Sequence, residues 1–175
     1  MVPFWEGDEL NKPFLKKALV DSLTELALYA QRKDIILELE NNVVADNCFY
    51  DIEDVIEVIE KVNERGYKLL FCFDIGHYIT RADIGLDISK LEKVLEDPEV
   101  ARYSTGLMHL NSYIPKEFDK DGKVKQGTGK YHPLLHKEKS PLSISNIKEH
   151  ARLNNKIGTD VVVIESAARS YQDMI

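Results

Sequence analysis

An α/β protein of parallel βα units is the fold expected of this chain, and three observations carry that expectation. Four short apolar runs, Ile35–Glu40, Leu69–Asp74, Gly106–His109 and Val161–Glu165, have the length and the β-branched or aromatic content of buried strands. Helical patterns with short connections alternate with them, which is the signature of a parallel sheet with right-handed crossovers. The chain has 175 residues, 43% hydrophobic and 30% charged, enough for one soluble domain with a real core and too few for two ordinary ones.

The opening residues through Asn11 read as loop, broken by Pro3 and Gly7. Asn11 is placed to cap a helix that admits Pro13 in its first turn and runs to about Arg32. Phe14, Ala18, Leu19, Leu23, Leu26 and Tyr29 recur along it at helical spacing. The first strand follows at once, and then a polar loop from Asn41 to Phe49. A second helix spans about Asp51 to Glu64, with Ile52, Val55, Ile56, Ile59 and Val62 on its apolar face, and Gly66 stops it where a C-terminal glycine belongs. The second strand, Lys68 to Phe73, leads into Asp74-Ile75-Gly76-His77 and a loop. A third helix, about Ile88 to Leu95, ends before Asp97-Pro98, and the third strand is Thr105 to Leu110.

From Asn111 to about Pro141 runs the longest irregular stretch, with an Asp119–Lys123 turn and Gly127-Thr128-Gly129. Loops beyond ~12–15 residues are usually functional or disordered. Its place after the strand that ends on His109 points to a lid. A fourth helix, Ser143 to about Leu153, precedes the fourth strand.

A net charge of -7 provides no basic field for a nucleic-acid backbone, so nucleic acid is a disfavoured partner. Cys48 lies in a polar loop and Cys72 inside a strand, which predicts reduced thiols in a cytoplasmic protein. No apolar stretch reaches the ~18 residues of a membrane span. Trp5-Glu6-Gly7-Asp8 is unlike a signal peptide.

The chemistry lies at the strand ends. If the strands are parallel, Glu40, Asp74, His109 and Glu165 converge on one face, where active sites of such folds sit. Three carboxylates and one imidazole suit Mn²⁺, Mg²⁺ or Co²⁺, with Zn²⁺ also admitted. Each residue also has a plainer reading. Asp74 and His77 form D-x-x-H at a turn, where Asp74 can simply cap. Glu38 shares a face with Glu40 by the strand period and can face solvent. A strand-end histidine such as His109 is more often structural. Glu165, after four aliphatic residues, is harder to dismiss, because a carboxylate there wants a cation or a hydrogen-bond network. Repetition at four equivalent positions decides for a metal.

Leu39-Glu40-Asn41, Phe73-Asp74-Ile75-Gly76-His77, Met108-His109-Leu110-Asn111 and Ile164-Glu165 together resemble the xylose isomerase-like TIM-barrel superfamily, which includes sugar isomerases, ketose epimerases and the endonuclease IV branch. The resemblance implies a TIM barrel of which about four strands are present, the C-terminal half. It implies Glu40, Asp74, His109 and Glu165 as ligands of a divalent metal, and Glu40 and Glu165 as the catalytic acid/base pair. His77 would touch a sugar-like substrate, or a second metal in the endonuclease branch. That branch carries an Asp-x-His pair in the long loop, whereas this chain has Lys130-Tyr131-His132.

His132 and His136 are expected to close over the site from the lid or to be solvated, with His132 favoured for a role, and Trp5 to stack on a sugar ring; an aromatic such as Trp5 is more commonly a core plug. Exposed sheet edges beside Glu40 and Glu165 predict self-association first, with a partner supplying the missing half-barrel or a longer chain of which this is a fragment as the alternatives. The leading function is a metal-dependent isomerase or epimerase of a small sugar-like hydroxy-carbonyl substrate. The alternatives are an endonuclease IV-like phosphoesterase on abasic DNA and a non-catalytic metal-binding half-barrel.

Overall fold

The computed structural model describes residues 12–42, 50–81, 83–85, 87–111, 113–114, 117–126, 130–132, 148, 152, 158 and 161–165. The elements in chain order are α1 (Lys12–Arg32), β1 (Glu38–Glu40), α2 (Ile52–Asn63), β2 (Leu70–Asp74), α3 (Ile75–Ile79), α4 (Ile88–Leu95), α5 (Pro98–Tyr103), β3 (Ser104–Leu110), β4 (Tyr113–Ile114), β5 (Lys130–Tyr131) and β6 (Val161–Ile164). Strands alternate with helices, and the main sheet has the order β1-β2-β3-β6. The expected parallel βα units are therefore present. Among the described residues, no helix is long and apolar enough to cross a membrane.

The chain divides into two compact units. The first comprises Met1–Phe73 and Asp97–Thr105. Here α2 is the organising helix, because its apolar residues recur at helical spacing and all face one way. Val55, Val58, Ile59 and Val62 are fully buried, and each such side chain contributes roughly 1.5–3 kcal/mol by leaving water. Helix α2 packs against α1, α5 and β1. Val20, Leu23, Ala27 and Ala30 are the residues of α1 that are buried. Phe14, Leu26 and Tyr29, expected on the same apolar stripe, are exposed. The buried stripe is narrower than the apolar one, with the small Ala27 and Ala30 on its packed face.

Gly66 has φ 87°, and its N–H closes the end of α2 on the Asn63 carbonyl at 2.9 Å. Only glycine reaches that backbone region without cost. Asn63 then ties the turn to the sheet, accepting from Leu69 N–H at 2.7 Å and donating to Leu69 O at 3.0 Å. Strand β1 pairs with β2 in parallel, Glu38 opposite Leu70 and Glu40 opposite Cys72. It is shorter than its apolar run suggests. Ile35 and Ile36 lie before it and are exposed, 55% and 68%, so they are not the buried strand residues expected.

The second unit comprises Asp74–Glu96 and Gly106–Ile175. Strand β3 pairs with β6 in parallel, Leu107 opposite Val161 and Leu110 opposite Ile164. Met108 and Leu110 are buried, but Val161 through Ile164 are exposed. The expectation that this fourth run is a buried strand fails in burial, though the strand itself forms. Two other expectations need correction. The residues after Asp74 fold as the short helix α3 rather than a loop. Asp97-Pro98 starts α5, because Asp97 accepts from Glu99 N–H and Pro98 supplies a helix-ready φ at the first turn.

The long irregular stretch holds an antiparallel hairpin, with Tyr113 opposite Tyr131 and Ile114 opposite Lys130. Phe118 bridges Val124 further out. Asp119 makes the turn there, its carboxylate accepting from the N–H groups of Asp121 and Lys123 at 2.9 Å. Two-residue strands are too short to show a period. The expected helix at Ser143 to Leu153 lies largely outside the described residues, as do the segment before Lys12 and the tail after Glu165.

Candidate metal centre

The centre of the second unit is the Asp74 carboxylate, which is wholly buried. Both oxygens are held by donors. Oδ1 accepts from the His77 backbone N–H at 2.7 Å, capping α3. Oδ2 accepts from the Asn111 side-chain amide. The His77 ring lies beside it, with Nδ1 at 3.6 Å from Oδ2. A buried carboxylate stays ionised when hydrogen bonds stabilise its charge. The plain reading of Asp74 as a cap and the reading as a ligand are both compatible with this geometry.

Gly76 makes the arrangement possible. A Cβ at that position would fall on the backbone carbonyl of Asn111. The absence of a side chain lets β3 bring Asn111 onto Asp74. Asn111 is itself buried. It was legible only as a neighbour of His109, yet the strand period puts residues i and i+2 on one face, so His109-x-Asn111 carried the signal.

The β3–β6 register delivers Glu165. His109 stands opposite Val163, and Glu165 follows Val163 by two, on the same face. The Glu165 N–H donates to Leu110 O at 3.0 Å, extending the ladder one step. As a result Glu165 Oε1 lies 3.1 Å from His109 Nδ1, and Oε2 lies 3.3 Å from His132 Nδ1. His77 and His132 rings meet edge-on with centroids 5.9 Å apart.

These residues fit a divalent cation. Two donors bound to one ion at ~2.0–2.1 Å stand about 3.0 Å apart at a right angle, close to the His109–Glu165 separation of 3.1 Å. Asp74, His109 and Glu165 each offer a ligand atom within 4.8 Å of the others, against about 4.2 Å for donors on opposite sides of such an ion. Carboxylate oxygens with one imidazole form a mostly hard donor set.

The remaining expected residues are distributed as follows. Glu40 ends β1 in the first unit, half-exposed, in register with Cys72. Glu38 is also half-exposed. Cys72 is buried and forms no disulfide among the described residues. His77 sits on α3 and His132 directly follows β5. Trp5, His136 and Cys48 lie outside the described residues.

Comparison with known proteins bears on the whole arrangement. Residues 14–137 match the family model described as xylose isomerase-like TIM barrel. Among solved structures, the chain is similar to the IolI protein, whose 1.8 Å crystal structure has a bound zinc atom. That likeness has a TM-score of 0.51 at 18% identity and covers 91% of this chain and 49% of that one. At such identity it speaks to the fold. The chain spans about half the length of the structure it matches. No curated protein matches it.

Proposed function

The chain belongs to the xylose isomerase-like TIM barrel family, and from that premise we propose a divalent-metal-dependent isomerase or epimerase of a small sugar-like hydroxy-carbonyl compound. The observation that carries the reading is the cluster of Asp74, His109 and Glu165 at ligand spacing. Glu40, at the end of β1, is kept as the fourth ligand in this proposal. The zinc of the IolI structure supports a metal of this class. Mn²⁺, Mg²⁺, Co²⁺ and Zn²⁺ all suit the donors.

When bound, such a cation supplies Lewis acidity for adjacent carbonyl and hydroxyl oxygens of the substrate. The protein side of the reaction falls to two glutamates. One takes the proton from the carbon next to the carbonyl, and the other returns a proton to that carbon from the opposite side or to its neighbour. Asp74, held from two directions, orients without moving. His77, beside it, is placed to donate to a substrate hydroxyl, and Trp5 is retained as a stacking residue for the sugar ring.

Assembly belongs to the same proposal. Strand β6 leaves Val161, Val162, Val163 and Ile164 between 36% and 63% exposed. An apolar strand in that state is a template for pairing. A second copy of the chain, or a partner carrying the other half of a barrel, would cover it and wall the substrate pocket. Until it is covered, the chain is a metal-binding half-barrel without turnover, which is the second reading.

The test joins metal analysis with exchange at carbon. The protein loaded with Mn²⁺ or Co²⁺ is incubated with a panel of ketoses and aldoses in D₂O, and deuterium at the carbon next to the carbonyl is followed by NMR. Incorporation that disappears in Glu165→Gln supports an isomerase. Bound metal with no incorporation at any concentration selects the half-barrel reading, and no bound metal sinks both.

A further inference from the structure

The hairpin ends against the metal centre, and that contact carries an inference beyond a substrate role for its last residue. His132 follows β5 directly and has φ 51°, a backbone state unfavourable for a non-glycine residue unless its surroundings hold it there. Its Nδ1 atom is buried and makes no hydrogen bond, yet it stands 3.3 Å from Glu165 Oε2. The other oxygen, Oε1, faces His109 at 3.1 Å. Glu165 is thus bracketed by imidazoles, one to each oxygen. The His77 and His132 rings are in edge-type contact, at an interplanar angle of 71°.

We propose that His132 is a positioning residue of the metal centre, holding Oε2 of Glu165 so that Oε1 alone is presented to the cation. This rests on the metal reading above. A glutamate with no outer partner can swing both oxygens onto an ion, and one pinned through Oε2 cannot. Catalytic hydrogen bonds are often long or misaligned in an unliganded site and tighten on binding, which accounts for a nitrogen in reach of its acceptor but poorly aimed. The strained backbone at His132 is then held by the contact it serves. The role is distinct from touching substrate, because the nitrogen that faces the site is directed at a carboxylate.

Co²⁺ titration of three proteins tests this, read by the visible d–d bands and by metal per chain in native mass spectrometry. The proteins are the wild type, His132→Gly and His132→Asn. Glycine removes the ring and relieves the positive φ; asparagine tolerates that φ and keeps a polar group at the reach of Nδ1. The expected result is one ion per chain, with affinity 10–100-fold weaker and altered bands in His132→Gly. His132→Asn should lie within a few-fold of the wild type. Melting of the metal-free proteins separates lost folding from lost positioning.

A glycine variant equal to the wild type in affinity and bands overturns the proposal, as does an asparagine variant as weak as the glycine one. Two ions per chain, the second lost in His132→Gly, would overturn it by making His132 a ligand. Failure of the metal reading itself looks different: the wild type binds no Co²⁺ at all.

Discussion

Asn111 donates its side-chain amide to Oδ2 of Asp74, and both groups are buried. The bond joins the end of β3 to the end of β2 and satisfies the oxygen that the α3 cap leaves over. Asn111→Leu removes that hydrogen bond from a buried charged group, which costs about 1–3 kcal/mol. Loss of an outer partner should also weaken metal binding about 10–100-fold. Urea denaturation and Co²⁺ titration measure the two effects separately. An unchanged affinity would remove Asn111 from the site.

Gly76→Ala tests the close approach directly. The new methyl group meets the Asn111 backbone, which cannot rotate aside as a side chain would. The expected loss is at least about 1–3 kcal/mol, the usual range for overpacking. A denaturation midpoint equal to the wild type would mean that the two segments part easily.

Metal should stabilise the fold, because a cation bound only by the native state adds to its stability by mass action. At a free concentration of 100 times Kd the gain is about 2.7 kcal/mol. The melting temperature should rise with added Mn²⁺ or Co²⁺ and return on chelation. Glu165→Gln should melt at one temperature with or without the ion; if it responds as strongly as the wild type, Glu165 is not a ligand.

The α1–α2 contact gives a pH dependence of known sign. Lys16 reaches Asp54 at 2.7 Å and also pairs with Glu57, which Lys61 meets as well. Hydrogen bonds from Lys16 and Lys61 hold the Glu57 carboxyl below its ordinary range. A depressed folded value means the contribution is present above the unfolded value and is lost as pH falls through the folded one. For Lys16, burial works downward, but the hydrogen bonds it donates to Asp54 and Glu57 outweigh it and leave the ammonium above its ordinary value. That contribution is complete below the unfolded lysine value and disappears only in strong alkali. Glu57→Gln should therefore flatten the acid side of the stability profile between about pH 5 and 3, by less than about 1 kcal/mol for so exposed a pair. Superimposable melting curves across that range would show the pair to be idle.

Covering of β6 is checked by multi-angle light scattering. The proposal expects a mass above one chain, reduced by Val162→Lys, whose charge would be costly to enclose. A monodisperse monomer in the wild type argues against self-association and leaves a separate partner chain.

Much of this was legible in the residues. The α2 stripe and its glycine stop, the βα order, and the strand-end positions of Glu40, Asp74, His109 and Glu165 all follow from period and punctuation. What escaped has physical causes. Helix α5 is six residues long, and β4 and β5 are two each, so none completes a recognisable period. Apolar content alone could not tell that Ile35, Ile36 and the valines of β6 are exposed, since burial depends on what lies across the sheet. The importance of Asn111 and Gly76 arises from a contact between segments far apart in the chain, which no local pattern contains.

The double duty of Asp74 has a consequence for how such a chain changes over generations. Its Oδ1 ends a helix while the same carboxylate faces the ligand cluster. Asparagine can still accept the His77 N–H but carries no charge for a cation. A lineage released from metal chemistry is therefore free to drift from aspartate to asparagine at position 74 and keep its fold. Alanine there would lose the cap as well. Asp74→Asn is thus the substitution that separates the proposed demand for charge from the demand of folding.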